Sequence, residues 1–347
     1  MSFLLVLDPI FQNHVCPNLF HPECPGRVVS IERELAKMVP LDEFTRVPVR
    51  EATAHELGRV HTAAYVNTIT QTVTSEPFGY LDPQTYWDKN TLTVAKSAVG
   101  TTIDLATAIG DHQNPASRGV AVVRPPGHHA RPSQAMGFCI FNTIACAAAA
   151  LLDEGVGRVA VVDVDFHHGN GTQEAFYDRS DLLFLSLHER ETFPGTGLAT
   201  ERGTKAGEGF TLNAVLEPQA GDDDLLAVVD QLFAPALRRF RPHIILVSAG
   251  FDAHEKDRLG NMNATREGFS RIFTRLRALA HALCEGRILA VLEGGYHHEA
   301  TATACADLIL AWSKEGYVRY PEEQLSPKES TCALIEEQQQ AFGLSRS

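Results

Sequence analysis

The chain is poor in basic residues. Its 347 residues carry 30 Lys and Arg against 43 Asp and Glu, a formal net charge of -13. A nucleic-acid or anionic-membrane partner calls for a basic surface, so this balance argues against both. It is compatible with a cationic substrate. Cysteine is sparse and unpatterned: seven residues, an odd number, with no C-x-x-C. That argues against a disulfide framework and for a reducing, cytoplasmic compartment. No uninterrupted apolar segment reaches the ~18 residues that a membrane helix needs. The N-terminal apolar run, Phe3–Leu7, is too short for a signal core and has no basic flank. Internal repeats, low-complexity tracts and Pro/Gly/Ser linkers are also missing. A single domain over residues 1–347 is therefore expected, with the polar tail from about 318 peripheral. No feature sets the oligomeric state.

What is present is an alternation. Phe3–Leu7, Val120–Val123, Arg158–Val164, Leu182–Leu187, Phe210–Val215, Ile244–Ser248 and Ile288–Leu292 are short apolar runs that predict strands. Between them, Thr91–Ile109, Asn142–Leu152, Asp222–Phe240, Thr265–Leu283 and Ala300–Ser313 predict helices. The expected fold class is α/β: one doubly wound, mostly parallel sheet covered by helices.

The unusual residues fall just past the ends of these strands. Val120–Val123 runs into Arg124-Pro-Pro-Gly-His-His129, Val159–Val164 into Asp165-Phe-His-His-Gly-Asn170, and Leu182–Leu187 into His188-Glu189. Ile244–Ser248 runs into Ala249-Gly-Phe-Asp252, and Ile288–Leu292 into Glu293-Gly-Gly-Tyr296. Open parallel sheets bind ligands at that edge, so the loops converge on one predicted active site.

Along an extended segment alternate side chains share a face, which groups Asp163, Asp165 and His167. Two carboxylates and an imidazole at the end of a core strand are costly to bury without a partner, and a divalent cation is the natural one. The bland alternative for such polar loop residues is helix caps and hydrogen-bonded turns. With Asp252 as a third ligand, Asp165 and His167 give the mixed N and O set of a catalytic zinc site with an open position; iron or cobalt would fit the same donors. His128 and His129, presented by a Pro-Pro-Gly turn, suit proton transfer near neutral pH. Asp163 is placed to orient one of them. Tyr296 can donate a hydrogen bond to a developing oxyanion. Together these parts predict metal-assisted hydrolysis.

These segments resemble the zinc-dependent histone deacetylase family, within the arginase/deacetylase fold. The likeness is carried by His21-Pro-Glu-Cys-Pro-Gly-Arg27, Arg124–His129, Gly137-Phe-Cys-Ile-Phe-Asn142, Asp163–Gln173, Ser186-Leu-His188, Phe193–Gly197, Ser248–Ala253 and Glu293–Tyr296. The Asp163–Gln173 segment is closer to the class II and bacterial deacetylase-like amidohydrolases than to class I. The resemblance implies Asp165, His167 and Asp252 as zinc ligands, His129 as proton shuttle, and His128 backed by Asp163. Asn170 stands where class I proteins have an Asp behind the second histidine, which makes His129 less basic. Tyr296 matches the catalytic tyrosine. Gly137, Phe138, Phe193 and Leu259 match substrate-binding positions of a narrow acyl-lysine tunnel; the bland alternative for the two Phe is ordinary core packing. Asp163, Asp165, His167, Ser186 and Leu187 match a structural potassium site.

The implied function is removal of acetyl or another short acyl group from lysine side chains of proteins or peptides. Acetylpolyamines or other small N-acyl amines are the alternative; Leu259, where polyamine-selective relatives carry a Glu, weighs against them. A non-catalytic acyl-lysine binder and a two-metal arginase-like hydrolase fit less well. Asp82 is expected in a turn. His14, Cys16, His21 and Cys24 lack metal-ligand spacing and are expected in an ordinary loop.

Overall fold

Alternate residues of the central strand enter different cores. In β6 (Val159–Asp163), Val159 and Val161 pack with Ile144 and Leu246, whereas Ala160 and Val162 pack with Leu185 and Val247. A strand buried on both faces reads as a continuous apolar run, and this one does. The computed structural model describes residues 3–17, 20–317 and 324–344.

Seven further strands share the sheet: β1 (Phe3–Val6), β2 (Thr45–Arg46), β5 (Arg118–Ala121), β7 (Leu182–Glu189), β8 (Thr211–Leu216), β9 (Ile244–Ala249) and β10 (Ile288–Leu292). Their order is β2-β1-β5-β10-β9-β6-β7-β8. Every pairing is parallel. A separate antiparallel hairpin joins β3 (Phe78–Tyr80) to β4 (Tyr86–Asp88). Because β10 and β9 are inserted between β5 and β6, four successive strands discharge their loops at one edge, where such sheets bind ligands.

Helices Thr91–Gly110 and Thr143–Asp153 cover one face through Val94, Ala98, Leu105, Ile144 and Ala148. Gly26–Met38, Arg266–Cys284 and His298–Ser313 cover the other through Val28, Ile31, Leu35, Ile272, Phe273 and Leu308. The architecture is thus the α/β doubly wound parallel sheet, and the predicted strands shift by only one or two residues at their ends.

Three features depart from the sequence reading. The span expected as one helix, 222–240, is α-helical over Asp222–Val228 and Ala234–Phe240 but widens to a π turn over Val229–Phe233. Pro235 has no N–H to give back along the helix. The Gln231 carbonyl instead accepts the Gln339 Nε2 at 2.6 Å, from a C-terminal helix, Glu329–Phe342, whose Ile335 and Phe342 enter the core beside β8. Residues 318–323 of the expected peripheral tail lie outside the described residues. Helices Gly26–Met38 and Ala63–Ser75 and the short strands β2, β3 and β4 had no counterpart in the sequence reading; each of those strands is at most three residues long, too short to show a period.

Candidate active site

The loop after β6 turns three side chains toward the end of β9. His167 Nδ1 lies 2.9 Å from Asp252 Oδ2 and 3.3 Å from Asp165 Oδ1. One donor atom from each of Asp165, His167 and Asp252 falls within 4.8 Å of the others, the one such acidic and imidazole group found among the described residues. Both carboxylates are fully buried. Burial and the neighbouring Asp165 charge push Asp252 up to about 6. Burial alone would lower His167, but hydrogen bonds to Asp165 and Asp252 raise it to about 10. A proton on His167 therefore offsets part of the charge of the two carboxylates.

Two glycines make room for these carboxylates. A Cβ on Gly250 would lie 2.0 Å from Asp165 Oδ2, and one on Gly294 would lie 2.3 Å from Asp252 Oδ2 and 2.6 Å from Asp165 Oδ2. The Gly294 N–H also donates to Asp165 Oδ2 at 2.8 Å. The donors, their mixed N and O chemistry and this glycine-bounded cradle fit one divalent cation with three protein ligands.

The tandem histidines differ in their surroundings. His128 Nδ1 sits 3.0 Å from Asp163 Oδ2. Burial opposes charge on His128, yet Asp165 and Asp163 outweigh it and hold the ring well above the usual range. His129 Nδ1 faces Asn170 Oδ1 at 2.8 Å. Burial and the charges of His128 and His167 pull His129 well below the usual range, and the neutral Asn170 supplies no compensating charge. A cation seated beside Asp165 would weaken the field that charges His128.

Burial pushes the Tyr296 phenol well above its ordinary value, so it stays a donor. The Tyr296 ring lies 5.5 Å from that of Phe138, edge to face, and carries the Arg27 guanidinium 4.8 Å above its centre. Phe138, Phe193, Gly137, His129, His167, Leu259, Tyr296 and Gln84 line a tunnel of about 200 Å³. Phe138 adopts φ 70 and Gly137 φ 56; the first is an uncommon conformation for a bulky residue, and strain of this kind gathers at functional sites. Leu259 is exposed at the rim. Ser186 and Leu187 lie on β7, where Ser186 is the register partner of Asp163. Asp82 caps a turn, accepting the Gln84 and Thr85 amides at 2.7 and 2.6 Å.

Several residues outside the predicted chemistry hold this arrangement. Glu293, fully buried and raised to about 7 by that burial, accepts the Gly127 and His128 amides at 2.6 and 3.1 Å, clamping the histidine turn. Arg27 donates to the Gly295 carbonyl at 2.7 Å. Arg124 Nη2 donates to Glu23 Oε2 at 2.8 Å in a fully buried pair. The Thr85 hydroxyl accepts the Phe138 amide at 3.0 Å. The motifs His21–Arg27, Arg124–His129 and Glu293–Tyr296 flagged the segments of Glu23, Arg27, Arg124 and Glu293; nothing flagged Thr85. His14, Cys16, His21 and Cys24 do not converge. His14 bonds Thr91 at 2.8 Å, Cys16 faces Tyr80, His21 bonds backbone carbonyls, and Cys24 lies 3.4 Å from His298.

Known proteins resemble this chain in sequence and in fold. Residues 21–312 match the model of the histone deacetylase domain. The chain is 37% identical over 310 residues to "Histone deacetylase 10, chloroplastic" of Oryza sativa subsp. japonica, covering 85% of this chain and 70% of that protein. It is 36% identical over 282 residues to a "Probable deacetylase" of Archaeoglobus fulgidus, covering 80% and 77%. The crystal structure of the HDA15 HD domain superposes with a TM-score of 0.90 at 32% identity, covering 98% of this chain and 94% of that one. The chain belongs to the histone deacetylase family.

Proposed function

We propose that this deacetylase is a zinc-dependent amidohydrolase that removes acetyl, or another short acyl group, from lysine side chains in proteins or peptides. The observation that carries the reading is one narrow tunnel lined by His129, His167 and Tyr296, with His167 bonded to Asp165 and Asp252 behind it. When bound, a divalent cation there supplies Lewis acidity and activates water for attack. The chain's own residues do the rest. Phe138 and Phe193 hold the lysine stem and exclude water, and the Gly137 carbonyl accepts the scissile amide N–H. His129, neutral and held through Nδ1 by Asn170, takes the proton of the attacking water on Nε2 and returns it to the leaving amine. His128 is oriented through Nδ1 by Asp163. The Tyr296 phenol donates to the oxyanion.

Lysine is preferred to polyamine because, among the described residues, no acidic side chain lines the tunnel above the cradle, so a second ammonium group would find no partner there. A structural potassium ion held around Asp163, Asp165, His167, Ser186 and Leu187 belongs to the same proposal, supported by the adjacency of Asp163 and Ser186. We take the whole chain as one catalytic domain in a reducing, cytoplasmic setting; all seven cysteines are free. No described helix is long and apolar enough to cross a membrane. The test offers zinc-loaded protein equimolar acetyl-lysine peptide and acetylated spermidine, with products followed by mass spectrometry. Faster peptide deacetylation is expected; faster polyamine deacetylation refutes the lysine preference.

A further inference from the structure

A second cavity lies at the starts of β7 and β8, the sheet edge opposite the active site. It holds about 310 Å³, the small end of the range for small-molecule sites. Leu183 on β7, Leu212 on β8, Phe210, Phe240 and Phe342 of the C-terminal helix form its apolar wall. Arg158 and Arg239 also line it, and no Asp or Glu does among the described residues. We infer that this cavity binds an aliphatic monocarboxylate, its tail against the three phenyl rings and its head on the two guanidinium groups. The cavity shares no lining residue with the tunnel, so its ligand is independent of the lysine-deacylase reading above.

Each arginine is anchored through one nitrogen and keeps the others as donors. Arg158 Nε donates to the Arg241 carbonyl at 2.8 Å, and Arg239 Nη1 donates to the Phe342 carbonyl. These carbonyls hold the guanidinium groups at the cavity without neutralising them, and neither arginine pairs with a carboxylate among the described residues. A guanidinium fork matches a carboxylate, which it can bind through two parallel hydrogen bonds. The acids nearest in sequence do not reach the space. Asp181, beside the lining Ser180, accepts Arg179 Nε and Nη2 at 2.9 and 2.6 Å. Glu208, beside the lining Gly209, is exposed and outside the wall. Arg238 and Arg241, which flank Arg239-Phe240, are exposed and also form no ion pair among the described residues. Arg202 places a further guanidinium 5.6 Å from the centre of the Phe342 ring, its buried Nε without a partner. In a chain of net charge -13, this corner is locally positive. The rings select the rest of the ligand. Phe210 and Phe240 meet edge to face at 5.8 Å, and Leu183 and Leu212 are buried behind them. Inorganic phosphate or sulfate would satisfy the arginines but leave this apolar wall against water; an aliphatic tail covers it.

The experiment titrates zinc-loaded protein with octanoate and with its neutral isostere octanamide, by calorimetry and by thermal unfolding, at low and high salt. Octanoate is expected to bind with a Kd of about 1 mM or tighter and to raise Tm. It should bind about tenfold more tightly than octanamide, as two partly exposed charge pairs allow, and that margin should shrink in salt. The double variant Arg158→Gln, Arg239→Gln keeps donors for the Arg241 and Phe342 carbonyls and should lose the margin. Ala236→Leu, on the cavity wall, should fill the space and remove the site, with circular dichroism verifying the fold of both variants. Equal affinity for octanoate and octanamide in wild type, a margin that persists in the double variant, or unchanged octanoate stoichiometry and affinity in Ala236→Leu overturns the inference. Octanoate that binds only in competition with acetyl-lysine peptide lies in the tunnel and overturns it as well.

Discussion

Replacing Gly294 by Ala should damage the cation cradle without touching a ligand. The added Cβ would start 2.3 Å from Asp252 Oδ2 and 2.6 Å from Asp165 Oδ2, whereas ordinary contact begins at 3.4 Å. At least one carboxylate must therefore retreat by about 1 Å, while metal sites hold their ligand distances within roughly 0.2 Å. Backbone strain is not the cause, since Gly294 is absent from the positive-φ residues. Loss of an outer partner of a metal ligand alone typically costs 10- to 100-fold in affinity; shifting a ligand itself should reach the upper end, about 100-fold. The assay is zinc titration against a competing chelator of known affinity, with far-ultraviolet circular dichroism to verify the fold. A folded Gly294→Ala protein whose zinc affinity stays within threefold of wild type would refute the assignment of Asp165 and Asp252 as joint ligands.

Tyr296→Phe should lower kcat by on the order of 10² or more with little change in KM, as loss of an oxyanion donor does; steady-state kinetics on one acetyl-lysine peptide decide it. Asn170→Asp places a carboxylate where Oδ1 now sits 2.8 Å from His129 Nδ1. The His129 base should then be protonated at higher pH, moving the acid limb of the kcat/KM profile upward; an unmoved or downward-shifted limb contradicts His129 as the base. The corner formed by His14, Glu23 and Arg124 should be acid-labile. Burial holds His14 at about 3, so its stabilisation is complete above the ordinary histidine range and is lost progressively as pH falls from there to about 3. Burial opposes ionisation of Glu23, but Arg124 and His14 prevail and lower it to about 2 from 4.5; that contribution, on the order of 3 kcal/mol, is present above 4.5 and lost toward about 2. Acid unfolding followed by near-ultraviolet circular dichroism should be blunted in Glu23→Gln relative to its own neutral-pH stability, and an unchanged pH slope counts against the pair.

The catalytic floor is legible in the sequence where chemistry and spacing coincide locally. Asp163, Asp165 and His167 announce themselves through a period-two pattern at the end of an apolar strand, and His128-His129 through a rigid turn. What supports them is illegible because it depends on distant segments. Glu23 and Arg124 lie 101 residues apart, and Thr85 reaches Phe138 across 53. Gly250 and Gly294 look like any loop glycines until the carboxylates they accommodate are seen beside them. The missed helix Gly26–Met38 had its signal in Val28, Ile31 and Leu35, spaced for one helical face, but an adjacent Pro25-Gly26 reads as a turn.

The cradle also fixes when a cation can arrive. His167 and Asp252 are 85 residues apart and meet only after β6 and β9 have paired in the middle of the sheet. An unfolded chain offers no such pair, so the ion cannot seed the fold in the manner of a zinc finger. In the folded chain His167 holds the cradle together by bonding both carboxylates. A cation held there would then enter a finished scaffold.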